Sequence, residues 1–256
     1  MNKIDFNIWE GIYKDFSECP KCGEGFSTER WVAQETERIN KLKAAIKESP
    51  LSAVGYRTSL LPLLIALMAE NSKENKVNVL DFGGGLGSTY LLVNSGCIKQ
   101  GDMSFCIVES EEICRRGREV FKDDDKICFS NCLPKDVRSF DIIHLGSSIQ
   151  YIEDWRGLMK EFAIYKPGYI LLADVPAGKI PTYASVQNYY GSKIPYWFFN
   201  TNDIIDTMAS AGYTLMFESV CIDKRLGKEQ PLPQDNFPQE YRVGDACNLL
   251  FVRENI

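Results

Sequence analysis

Val77-Asn78-Val79-Leu80-Asp81-Phe82-Gly83-Gly84-Gly85-Leu86-Gly87-Ser88-Thr89-Tyr90 decides the architecture of this chain. An apolar run ends in an acid, four glycines fall within five positions, and a helix-forming segment starts at Ser88. Strand, glycine loop and helix start make a nucleotide-binding element, because glycine turns tightly and lets a ligand come closer than a Cβ would permit. The spacing narrows the ligand. A dinucleotide fingerprint reads G-x-G-x-x-G, whereas glycines at 83, 85 and 87 bring the third one residue early. Asp81, two residues before the first glycine, would oppose a pyrophosphate and suits a cofactor that carries an ammonium group. No G-x-x-x-x-G-K-[ST] occurs, which excludes a P-loop.

This order of apolar strand, acid, apolar residue and G-x-G-x-G resembles motif I of the class I S-adenosylmethionine-dependent methyltransferases. The resemblance implies S-adenosyl-L-methionine as cofactor and S-adenosyl-L-homocysteine as product, with Asp81, Gly83, Gly84 and Gly85 at the methionine end. It also implies a second acid, at the end of the next strand, that takes the ribose hydroxyls. Ser104-Phe105-Cys106-Ile107-Val108 is such a strand, and Glu109 closes it 26 positions after Gly83. The separation is near the roughly 20 residues of the related dinucleotide unit.

Composition bounds the rest. With 256 residues and 45% apolar content the chain suits one α/β domain with an appendage. A formal charge of −6 and no basic cluster argue against a nucleic-acid partner. Met1 to Glu10 has no apolar leader segment, and Ser59 to Ala69 is too short to span a bilayer and holds Pro62. A cytoplasmic protein without a membrane span is expected. The nine cysteines read as reduced thiols, with Cys97, Cys106, Cys114, Cys128, Cys221 and Cys247 buried in strands or helices. Cys19-Pro20-Lys21-Cys22 looks like half a zinc knuckle, yet no second pair follows and the only histidine is His144, so no metal is expected.

Residues 1–72 read as an N-terminal extension or lid: an irregular start at Trp9–Tyr13, a helix Ser27–Glu48 stopped by Pro50, and a helix Ser59–Glu70. Residues 73–256 read as the catalytic domain. From Val77 strands and helices alternate, which predicts a Rossmann-like α/β fold with right-handed crossovers. Strands are expected at Val77–Phe82, Ser104–Glu109, Lys126–Ser130, Phe140–Leu145, Tyr169–Asp174, Thr214–Val220 and Asn248–Val252. The last two are joined without a crossover helix. Such an ending resembles the methyltransferase topology, which implies a seven-stranded, mostly parallel sheet whose last strand is antiparallel.

Ligands of doubly wound sheets bind beyond the carboxyl ends of the strands. The third end carries Asn131, either an adenine-binding amide or a turn residue before Pro134. The fourth runs His144-Leu145-Gly146-Ser147-Ser148-Ile149-Gln150-Tyr151. It resembles the superfamily segment that faces cofactor and acceptor, so Gly146 and Ser147 are expected at the cofactor, Gln150 and Tyr151 at the acceptor. The fifth offers Asp174. Methyl transfer to an alcohol needs the oxygen aligned and its proton removed; Asp174 is the first candidate base. His144, inside its strand, is the second candidate, or else a hydrogen-bonded core residue. The segment 176–200, rich in aromatic and amide side chains, reads as a functional loop inserted on the acceptor side. Tyr183, Gln187 and Asn188 are its candidate substrate ligands.

Trp9-Glu10-Gly11-Ile12-Tyr13, the glycine motif, Leu145–Asp154, Pro181-Thr182-Tyr183 with Gln187-Asn188, and Pro195-Tyr196 with Phe199-Asn200 together resemble a bacterial group of methyltransferases associated with surface-polysaccharide (capsule and O-antigen) biosynthesis. What that resemblance implies is O-methylation of a sugar hydroxyl, in a nucleotide-activated sugar or a capsular heptose-type glycan, by an enzyme that could be a homodimer. Two other classes stay open from the residues alone: a nicotinamide-dependent sugar oxidoreductase, and a methyltransferase-fold binding subunit without catalysis.

Overall fold

The computed structural model describes residues 6–48, 60–71, 76–96, 102–135, 139–222, 224–225 and 228–254. The helix stop at Pro50, the helix start at Ser59 and Cys97 lie outside the described residues.

The glycine-loop strand, β2 (Lys76–Phe82), is an interior strand of a seven-stranded sheet. It is preceded by β1 (Trp9–Tyr13), α1 (Glu29–Glu48) and α2 (Leu61–Asn71), and followed by α3 (Ser88–Gly96), β3 (Asp102–Val108), α4 (Glu111–Val120) and β4 (Ile127–Ser130). Then come β5 (Ile142–Gly146), α5 (Trp155–Ile164), β6 (Tyr169–Val175), β7 (Ala177–Gly178), β8 (Tyr183–Tyr189) and β9 (Ser192–Asn200). The described chain is completed by α6 (Thr201–Ser210), β10 (Tyr213–Cys221), a two-strand ribbon β11 (Lys224–Arg225) and β12 (Lys228–Glu229), and β13 (Ala246–Arg253). The sheet order is β10-β13-β6-β5-β2-β3-β4, and β13 runs antiparallel to both its neighbours. The central strands β5 and β6 are mainly apolar, and β2 buries Val77 and Val79–Asp81, because these strands are covered on both faces.

One face buries Val32 and Ile39 of α1, Leu61, Leu64 and Ile65 of α2, Tyr90 and Val93 of α3 and Ile113 of α4 against Val79, Phe105, Ile107 and Phe129. The other face packs Trp155, Met159 and Phe162 of α5 and Ile204 and Met208 of α6 against Leu80, Ile143, Leu145 and Leu172.

A second sheet, β1-β8-β9-β7, corrects two expectations. Residues 176–200 are not a loop: Tyr183–Tyr189 and Ser192–Asn200 form an antiparallel hairpin, closed by Tyr190 and Gly191 with φ of 47° and 84°. Positive φ at both turn residues is the twist that two-residue hairpins require. Trp9–Tyr13 is likewise a strand, paired with β8. Trp9 is buried against Tyr196 and Phe198, so the N-terminal strand is stitched to the β8–β9 hairpin.

Candidate functional site

The β2–α3 loop is shaped from both sides. Gly83 has φ 72°, and a Cβ there would lie 2.5 Å from Cβ of Ser148. At Gly84 a Cβ would lie 2.5 Å from Asp81 Oδ2. Side chains are excluded, and the loop closes on the segment after β5 on one side and on its own acid on the other. Ser148 adds a bond from its hydroxyl to the Phe82 carbonyl at 2.8 Å.

Asp81 is 1% exposed. Its Oδ1 lies 2.8 Å from His144 Nδ1, across the β2–β5 pair where the two residues are in register. Its Oδ2 is buried and has no hydrogen-bond partner. A buried carboxylate oxygen left unsatisfied costs about 1–3 kcal/mol or more for a charged group, and such an atom marks a place for a donor. His144 is itself buried, 3% exposed, and hydrogen-bonded to that acid. Its ring lies beneath Gly146, whose added Cβ would come within 2.9 Å of the imidazole Cε1.

Glu109 spans from its strand end to the loop: Oε1 accepts from the Gly85 amide at 3.3 Å and Oε2 from the Ser110 amide at 2.8 Å. Burial raises its pKa above the usual carboxylate value, opposed in part by those two amides. Asn131 is exposed and donates to Glu111 at the start of α4 at 2.5 Å.

At the ends of β5 and β6 two non-glycine residues adopt left-handed backbone, Ser147 at φ 55° and Asp174 at φ 53°. Each such conformation costs on the order of 1–3 kcal/mol and persists only where its surroundings enforce it. The enforcement is visible: Ser147 N donates to the Ala173 carbonyl at 2.9 Å, and Asp174 N donates to Asn248 Oδ1 at 3.1 Å. Between Leu172 and Val175 the ladder with β13 slips, so Ala173 and Asp174 together face Asn248. This bulge turns the Asp174 side chain toward Ser147, whose hydroxyl donates to Asp174 Oδ2. The two strand ends thus form a serine–carboxylate pair.

Beyond it lies the 3₁₀ turn Ile149–Tyr151. Gln150 is 2% exposed with its Oε1 unpartnered. Tyr151 donates to Gln187 Oε1 at 2.8 Å and meets the rings of Phe26 and Tyr196 edge-on. Phe26 also touches Trp31 and Tyr189, so the N-terminal extension reaches this wall. Asn188 is tied to the Asn7 carbonyl at 3.0 Å. Tyr183 is a correction: it is buried among Phe198, Phe237 and Tyr241, its hydroxyl accepting from Gln234 and donating to the Tyr241 carbonyl, which commits it to packing.

The cysteines differ from their expected burial at Cys128, which is exposed, and at Cys221, which is half-buried; none of the eight described is in a disulfide. Cys19 is buried with its thiol pushed up to about 11 by burial, while Cys22 is exposed on a bridge to Lys193. Among the described residues no three metal-ligating side chains converge, and no helix is long and apolar enough to cross a membrane. Sequence reasoning missed Ser148 and Asn248, the residues that brace the loop and the bulge. Their signal was position alone, a serine one past Ser147 and a polar residue inside the apolar run Ala246–Val252.

No protein-family model and no curated protein matches this chain. Solved structures do. A methyltransferase of Haloferax volcanii, determined in complex with the methyltransferase activator Trm112, aligns over 89% of this chain and 96% of its own at 15% identity, TM-score 0.54. An S-adenosylmethionine-dependent methyltransferase of Listeria monocytogenes covers 75% of this chain and 98% of its own at 12% identity, TM-score 0.51. The 1,6-didemethyltoxoflavin-N1-methyltransferase of Burkholderia thailandensis, with S-adenosylhomocysteine bound, covers 93% and 95% at 10% identity, TM-score 0.50. Strand order and these neighbours together define a Rossmann-like class I methyltransferase fold.

Proposed function

We propose that this protein is an S-adenosylmethionine-dependent O-methyltransferase that acts on a sugar hydroxyl, in a nucleotide-activated sugar or a heptose-type glycan of surface-polysaccharide biosynthesis. The observation that carries the cofactor reading is Asp81: a buried carboxylate with one oxygen held by His144 and the other unpartnered beside a side-chain-free loop. An ammonium donor satisfies that oxygen. A pyrophosphate would be repelled by it. The Burkholderia neighbour, which holds S-adenosylhomocysteine, supports the same reading.

In this reading Asp81 and Gly83–Gly85 would hold the amino-acid end of the cofactor, Glu109 the ribose and Asn131 the adenine, and Gly146 and Ser147 would also contact the cofactor. When bound, the cofactor supplies a methyl group made electrophilic by its sulfonium. The protein's own task is to orient the acceptor oxygen and take its proton. Asp174 Oδ2, already accepting from Ser147, takes that role, the serine aiming the carboxylate and giving way to the incoming hydroxyl. Gln150, Tyr151, Gln187 and Asn188 would supply hydrogen bonds to the sugar, and residues 1–72 a lid over it. Incubation with methyl-labelled S-adenosylmethionine and a panel of nucleotide-sugars, with the methyl located by mass spectrometry, tests the assignment. Cofactor binding by calorimetry without methylated sugar would remove the sugar; no cofactor binding would remove the reading itself.

A further inference from the structure

The cofactor reading leaves the cysteines of β3 and β4 unused. Cys106 and Cys128 are direct partners in the parallel β3–β4 register. Partnered residues of adjacent strands point to the same face, about 4.8 Å apart, which falls inside the range of about 4.4–6.8 Å between Cα atoms that a disulfide spans. Both side chains therefore leave the sheet on one face, next to each other across the β3–β4 ladder. Cys106 is buried and Cys128 exposed. The cause is topological: β4 is the edge strand, and Cys128 lies on the face opposite Ile127 and Phe129, which α3 and α4 cover. We propose that Cys106 and Cys128 form a reversible dithiol–disulfide site that takes small hydroperoxides as its oxidant.

The neighbouring Cys106 thiol holds that of Cys128 below the usual thiol value, while Cys128 and burial push that of Cys106 up. The exposed sulfur is therefore the nucleophile and the buried one keeps its proton. In the first step the Cys128 thiolate attacks an oxygen of the hydroperoxide; the O–O bond breaks, hydroxide or alkoxide leaves, and a sulfenic acid forms. In the second, Cys106 sulfur displaces the hydroxyl from that sulfenic sulfur. The S–S bond forms, and the Cys106 proton leaves with the hydroxyl as water. Two electrons have passed from the sulfurs to the peroxide. The bridge would tie the edge strand to its neighbour three residues before Glu109 on one strand and Asn131 on the other.

The site is independent of any methyl acceptor, so it is tested on the purified full chain without cofactor. Protein treated with near-stoichiometric hydrogen peroxide, then blocked with iodoacetamide and digested, should yield a peptide cross-linked between positions 106 and 128. The intact chain should be about 2 Da lighter, and dithiothreitol should restore both thiols. Cys106→Ser should stop at a Cys128 sulfenic acid that dimedone traps. At neutral pH Cys128 should alkylate faster than an ordinary exposed thiol, its larger thiolate fraction outweighing its lower nucleophilicity. A bridge from Cys128 to the nearby exposed Cys132 would overturn the pairing. So would direct passage of Cys128 to sulfinic acid in the wild-type chain, or recovery of an unmodified Cys128.

Discussion

Glu109 is held where its charge is costly. Burial raises its pKa, so the folded protein takes up this proton at a higher pH than the unfolded chain does. Stability from this group is present at acid pH and is lost as pH rises through the raised value; at neutral pH the ionised carboxylate works against folding. The same ionised oxygens are what two ribose hydroxyls need as acceptors. Glu109→Gln should raise the melting temperature of the cofactor-free protein at pH 7 and weaken S-adenosylmethionine binding about ten- to a hundred-fold, the worth of hydrogen bonds to a charged group. For the wild type, affinity measured by calorimetry should start to fall, on acidification, at a higher pH than a solvent-exposed glutamate would give. Asp174 makes the contrasting case. Asn tolerates left-handed backbone nearly as well as Asp, so Asp174→Asn should keep the bulge and leave cofactor affinity unchanged. Turnover should fall by about 10²–10⁴, the usual worth of a general base; unchanged single-turnover rates would remove it from the chemistry.

Elements reveal why part of the fold was legible in the residues and part was not. The strands β2 to β6 read clearly because each is a short, mainly apolar run bounded by turn or loop residues, and helices follow β2, β3 and β5. The hairpin β8–β9 did not, for three physical reasons. Its turn places Tyr190, rather than Asn or Asp, at the first positive-φ position, so only Gly191 marked it. Several of its residues are covered on both faces, so polar–apolar alternation is lost. Pro195 argues against a strand interior, yet Lys193 turns its amide and carbonyl outward to Cys22, so the nitrogen of Pro195, two residues on, also points outward, where β7 does not reach. In the site, the glycine loop, Asp81 and Glu109 were legible from spacing. The Ser147–Asp174 pair was not seen as a pair, since it depends on a bulge braced by Asn248. Helix α4 offers an element-scale test. Alanine would gain about 1 kcal/mol of helix propensity over Gly117, but a Cβ there would overlap the ring of Phe129, itself buried on β4. Overpacking costs about 1–3 kcal/mol, so Gly117→Ala should be net destabilising by on the order of 1 kcal/mol in urea titrations. A more stable variant would show that β4 yields freely.

For the whole molecule, the two sheets are not separate units. A single apolar cluster contains Leu80, Ile143 and Leu172 from the seven-stranded sheet and Ala184, Val186, Trp197 and Phe199 from the hairpin. The serine–carboxylate pair belongs to the first sheet and the Tyr151–Gln187 wall joins it to the second. A shared core means that damage to the N-terminal strand should be felt at the cofactor loop. Trp9 applies it from the far side of the hairpin: it packs on Tyr196 and Phe198 of β9 in a separate cluster, while Trp197 and Phe199 of the same strand belong to the shared core. Trp9→Ala removes a large buried aromatic, a loss of about 3–5 kcal/mol. For a chain of this size each kcal/mol is worth about 2–4 °C, so the melting temperature should drop on the order of 10 °C. The drop should be one cooperative transition, with far-UV circular dichroism and tryptophan fluorescence coincident. Two separated transitions, with the glycine-loop amides still protected from hydrogen exchange after the first, would mean instead that the β1–β8–β9 layer folds on its own and can open without disturbing the glycine loop.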